Sequence, residues 1–171
     1  DRLDALVHNA GALSATRQVS PQGTELTVAS QVVGPFLLTS LLLPLLQSTA
    51  QGSAPTRVLT MSSGGMYASV LRVADLQMGD EYKGSEQYAR AKRAQVTLNE
   101  MWAQRTSGSE VVFQAMHPGW ADTPGVRDSL PTFRKVVGPL LRSPQQGADT
   151  MVWLAADDGE PIASTGKFWL D

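Results

Sequence analysis

The 171-residue sequence contains no cysteine, which excludes a disulfide framework, a thiolate nucleophile and a thiolate metal site. Two histidines, His8 and His117, are too few for a convincing zinc site. Neither charge sign dominates. Fourteen Lys and Arg stand against 16 Asp and Glu, for a net charge of −2, and no basic run breaks that balance. Nucleic acid is therefore not an expected partner. The main apolar stretch, residues 32–46, is interrupted by Gly34, Pro35, Thr39, Ser40 and Pro44. It falls short of the roughly 18 residues expected of a membrane span, and no signal-peptide pattern opens the chain. What is present is core material: 42% of residues are hydrophobic and only 18% charged, which argues against disorder. The expectation is a single cytoplasmic domain over 1–171 without a membrane span. The chain opens on Asp1, with a strand-like segment at 5–9 following almost at once, and this predicts a fragment whose fold is N-terminally incomplete.

Short apolar runs alternate with long helical stretches. Strands are expected at 3–9, 57–62, 111–116 and 166–170, and helices at 24–47, 85–105 and from Pro144 to about 156. In the second helix Tyr88, Ala91, Ala94, Gln95, Leu98, Met101 and Trp102 recur at three- and four-residue steps. The third opens on a capping pattern: Ser143 at the N-cap, Pro144 at the first helical position and Gln146 three residues after the cap. This alternation predicts an α/β fold, a doubly wound parallel sheet with helices on its faces. Ligands bind beyond the carboxyl ends of strands in such sheets. Three short motifs fall there: Asn9-Ala10-Gly11, Ser62-Ser63-Gly64-Gly65 and His117-Pro118-Gly119.

Tyr88 and Lys92 stand at i and i+4 of a helix, on one face and one turn apart. A phenol ordinarily titrates near ~10, and an adjacent ammonium would favour the phenolate. Taken alone, the pair reads equally as an aromatic beside a solvated lysine. Ser63 follows a strand and precedes two glycines, so its hydroxyl could face a substrate; a turn serine is the plain alternative, and Ser62 the rival position. A serine hydrolase would need a G-x-S-x-G elbow, and the glycine before Ser62-Ser63 is missing in register, although His117 could in principle act as a base. Gly11 permits a tight turn and a close backbone approach, and Pro118-Gly119 a rigid one, with the Thr123 hydroxyl beyond it.

In this order the motifs resemble the short-chain dehydrogenase/reductase family over nearly the whole chain. The resemblance implies a Rossmann-like fold and an oxidoreductase that interconverts a carbonyl and an alcohol with NAD or NADP. It assigns Tyr88 as general acid/base, Ser63 as the donor to the substrate oxygen, and Lys92 as the group that binds the nicotinamide ribose and lowers the Tyr88 pKa. Asn9, Ala10 and Gly11 would border the adenine-side ribose, and Pro118, Gly119 and Thr123 the nicotinamide. Residues 121–142 would form a substrate lid, whose apolar content hints at a lipid, steroid or retinoid-like carbonyl compound. Family members often dimerise through the helices matching 24–47 and 85–105, so a homo-oligomer is possible. Two departures stand out. The glycine-rich pyrophosphate turn and the residue selecting NAD or NADP do not occur in these 171 residues. Gln31 stands where the family usually has an asparagine that completes a proton relay, and its main-chain carbonyl, freed by Pro35, is expected to serve instead. The alternative to an enzyme is a non-enzymatic sheet module unable to bind cofactor.

Overall fold

The computed structural model describes residues 1–51, 54–108, 110–122 and 141–171. Four strands, β1 (Ala5–His8), β2 (Thr56–Met61), β3 (Val111–His117) and β4 (Lys167–Leu170), form one sheet in sequential order. All neighbouring pairs are parallel. Among the described residues three long helices connect them: α1 (Leu26–Gln51), α2 (Gly84–Arg105) and α3 (Pro144–Ala156).

The central strands are buried on both faces, and the polar residues they carry, Thr56, Arg57, Thr60 and Gln114, are buried with them. Alternation along them sorts the core. Val58 and Phe113 pack with Leu46 of α1 and Ala103 of α2, while Leu59 and Met116 pack with Met151 and Leu154 of α3. Helices therefore cover both faces, which is the doubly wound arrangement expected. Register then aligns the carboxyl ends: His8 pairs with Thr60, Met61 with Met116, and His117 with Leu170. The three strand-end motifs emerge along one rim.

Helix α1 differs from the expected 24–47 stretch. It starts at Leu26 and reaches Gln51, a 26-residue element whose most apolar 18-residue window has mean hydropathy 1.8, long and apolar enough to cross a bilayer by length and composition. Its two prolines, expected to bend the helix rather than end it, are accommodated: Pro44 lies inside the helix. Ahead of Pro35, which has no N–H to give, residues Ala29–Val33 form a π-helical turn in which Gly34 N–H bonds to Ala29 O. The inner residues Val28, Val32, Leu46 and Ala50 are buried, whereas Phe36, Leu37 and Leu41 are exposed. The α3 cap matches expectation: Ser143 Oγ accepts from Gln146 N–H at 3.2 Å, and Gln146 Oε1 accepts from Ser143 N–H at 2.8 Å. The other boundaries shift by one or two residues. Residues 123–140, the greater part of the expected lid, lie outside the described residues.

The chain leaving β1 is stapled to the start of α2. Tyr82 Oη lies 3.2 Å from Glu25 Oε1 and 3.4 Å from Ser14 O, and Arg17 Nε donates to Met78 O at 3.0 Å. Gly84 makes this approach possible, since a Cβ there would sit 2.0 Å from Ser14 O. That neighbour is backbone and cannot swing aside. Gly84→Ala in the intact natural protein should cost about 1–3 kcal/mol of unfolding free energy, the scale of an overpacked contact. Denaturant titration measures it, and an unchanged midpoint would show that the loop moves freely.

Candidate active site

Helix α2 runs beneath the rim and presents Tyr88 and Lys92 on one side. The Lys92 amine lies over the Tyr88 ring, 5.3 Å from its centroid. Lys92 is only 2% exposed and donates from Nζ to Met61 O, the last carbonyl of β2, at 2.8 Å. Ser62, the next residue, donates from Oγ to the Lys92 carbonyl at 3.1 Å. One helical turn is thus tied twice to the end of one strand. Burial pushes the Lys92 amine down to about 8.

The two serines now separate. Ser62 is buried and spent on α2 backbone. Ser63 is half-buried in extended backbone (φ −156°), accepts from Gly65 N–H at 3.1 Å and stands beside the Tyr88 hydroxyl, close enough to influence its pKa. The structure therefore supports Ser63 over Ser62 as the group facing the rim. Burial raises the Tyr88 pKa, and the Ser63 hydrogen bond opposes that rise. The expectation that Lys92 lowers the Tyr88 pKa needs correcting for the protein as it stands here: desolvation of the phenol dominates, and the amine is directed at a carbonyl and the ring face rather than the hydroxyl.

Gln31 sits in the π-helical turn and is fully buried. Its Nε2 donates to Ala12 O at 2.6 Å, while Oε1 has no partner. A Cβ at Gly11 would lie 2.9 Å from Gln31 Oε1 and 3.4 Å from Lys92 Nζ, so Gly11 is the backbone that closes in on both. Asn9, Ala10 and Gly11 are all exposed at the rim. Gly119 takes a left-handed φ of +68°, and its missing Cβ makes room for Arg142 Cδ at 3.1 Å. The His117 ring packs against Gly64, where a Cβ would be 2.8 Å from Nε2, which fits the structural role expected of this histidine better than that of a hydrolase base. Thr123 lies outside the described residues. Among the described residues no group of His, Asp and Glu could hold a metal.

Ser63, Tyr88, Lys92, Gln31 and Gly11 thus converge, with Pro118 and Gly119 ending the neighbouring strand on the same rim. Sequence reasoning missed the Met61 and Ala12 carbonyls, because backbone acceptors carry no residue signature. It also assigned Gln31 a role only through its main chain, although the side chain itself reaches the site.

The residues present fit the nicotinamide-ribose half of a dinucleotide. The amine has one protein acceptor and further N–H groups to offer hydroxyls, an amide oxygen beside it is unpartnered, and glycine leaves the approach open.

Lys92 yields a sign-specific test. An unfolded lysine titrates near ~10.4, so between about pH 8 and 10 the unfolded chain holds a proton that the folded one has released. Stability of the nucleotide-free protein should therefore rise with pH across that window relative to Lys92→Met. Parallel curves from denaturant titration would show that the amine is not desolvated.

No protein-family model matches the chain. It is 41% identical over 171 residues to dehydrogenase/reductase SDR family member 12 of Homo sapiens, covering 99% of this chain and 52% of that protein. Against retinol dehydrogenase 14 of Mus musculus it is 32% identical over 177 residues, covering 99% and 51%. The chain thus spans about half the length of these relatives. In fold it superposes on the Pseudomonas aeruginosa RhlG/NADP active-site complex with a TM-score of 0.73 at 22% identity, covering 99% of this chain and 64% of that one. On sequence and on fold, the chain belongs to the short-chain dehydrogenase/reductase family.

Proposed function

We propose that the intact protein is a nicotinamide-nucleotide-dependent oxidoreductase that interconverts a carbonyl and an alcohol. The carrying observation is the convergence of a half-buried phenol, a hydroxyl beside it and a buried amine at the carboxyl ends of parallel strands. When bound, NAD or NADP supplies or removes the hydride. Tyr88 Oη gives its proton to the carbonyl oxygen in reduction and takes it back in oxidation. Ser63 Oγ donates to the same oxygen and fixes the carbonyl against the phenol. Lys92 would hold the ribose hydroxyls from its place beside the phenol. Asn9, Ala10 and Gly11 border the nucleotide from β1, and Pro118 and Gly119 from β3, with Thr123 beyond. Gln31 closes the rear wall; its main-chain carbonyl would hold a relay water shared with Lys92.

An apolar substrate is the reading that Trp120, 47% exposed at the start of the lid segment, favours. The name of the retinol dehydrogenase relative points the same way. A module that cannot bind cofactor is the second reading. On either reading the 171-residue chain alone should bind nicotinamide nucleotides weakly, for want of a pyrophosphate cradle. Fluorescence titration of the intact protein with NADPH and NADH separates the two: a response to either supports the enzyme, and none supports the module.

In the intact protein Tyr88→Phe should lower kcat by about 10²-fold or more, the scale of acid–base catalysis, with little change in Tm. Ser63→Ala should lower kcat more than Ser62→Ala, whereas Ser62→Ala, which cuts a buried tie to α2, should lower Tm more. Retained turnover in Tyr88→Phe would place the proton elsewhere.

A further inference from the structure

Behind Gln31, away from the rim, a small pocket lies between α1, α2 and the sheet. Its polar wall comes from His8, Gln31, Thr39, Thr60, Gln95 and Asn99, and its volume is about 20 Å³, room for a single water molecule. Phe36 and Trp102 border it with rings 5.4 Å apart, and Phe36 is exposed, so the pocket opens at the groove between the two helices.

Both polar atoms of the Gln95 amide are buried there without a partner, as is Asn99 Oδ1. Gln95 is 4% exposed and Asn99 3%. The other end of Asn99 is engaged, with Nδ2 donating to Lys167 O at 3.3 Å. His8 Nε2 is paired with Thr39 Oγ1 at 2.8 Å, and burial keeps the imidazole toward its neutral form. Buried amides left unpaired are costly and rare. The ligand that repairs them must be small, must both donate and accept, and must carry no charge, since no formally charged side chain lines the pocket.

We propose that this pocket is a hydration site in which one ordered water accepts from Gln95 Nε2 and donates to the amide oxygens around it. The water bridges α1, α2 and the sheet. It makes Gln95 a positioning residue for Gln31, whose other side forms the wall beside Gly11 and Lys92. That positional role rests on the reading of Ser63, Tyr88 and Lys92 as the reacting set; the hydration site does not.

The test uses the intact protein without nucleotide. Water-selective NMR should show cross-peaks from a long-lived water to the side-chain amides of Gln95 and Asn99. Gln95→Leu, close in volume, should abolish them, shift the Gln31 side-chain amide resonance and lower Tm by about 3 °C or more. A dry pocket gives the opposite sign: removing two orphaned atoms raises Tm, and the wild-type protein shows no water cross-peaks. Either result overturns the site. Water cross-peaks with an unmoved Gln31 amide would overturn the positioning role. Should Gln95→Leu fail to fold, the wild-type spectrum still decides the site. Thr60→Val, which withdraws one hydroxyl from the same wall, then decides the positioning role by whether the Gln31 amide moves.

Discussion

Everything at the rim depends on a buried amine tied to the end of a strand. Lys92 donates to the last carbonyl of β2, and the residue after that strand donates back to the carbonyl of Lys92. These two hydrogen bonds fix the rotation and height of α2 against the sheet. Tyr88, one turn earlier, then meets Ser63 on the segment leaving β2. The cost is a desolvated ammonium, visible as its lowered pKa. Such a cost falls where a site needs a group that shifts readily between charge states, and lysine is the side chain that does so on burial.

The second constraint is a proline in an apolar helix. Pro35 offers no N–H, and the helix widens to i+5 pairing in the turn just before it. Gln31 falls within that widened turn, and its side chain reaches inward to Ala12 O and toward Gly11. The position that departs from the family pattern is therefore a filled one, with a longer amide crossing from α1 to the chain leaving β1. The empty edge beside it is made by glycine alone.

Much of this was legible in the sequence. Short apolar runs marked the four strands, a helical stripe marked α2, and Ser143-Pro144-Gln145-Gln146 marked the start of α3 to the residue. The order of the rim motifs placed Gly11, Ser63, Tyr88 and Lys92 together before any coordinate did. Three things were not legible. A proline pattern that calls for a bend does not say how the backbone takes it up, so the π-helical turn before Pro35 had no mark of its own. Backbone acceptors such as Met61 O have no identity at the residue level. The balance between burial and a neighbouring charge at Tyr88 depends on where the amine points, and spacing along a helix does not fix that.

The account centres on one oxygen shared by Tyr88 and Ser63, with the ribose on Lys92. A crystal structure of the intact protein with a nicotinamide nucleotide and a bound alcohol or ketone measures this directly. The account predicts the substrate oxygen within hydrogen-bond reach, about 2.6–3.2 Å, of both Tyr88 Oη and Ser63 Oγ, with a ribose hydroxyl on Lys92 Nζ. A substrate oxygen held by other groups, or a ribose turned away from Lys92, would contradict it.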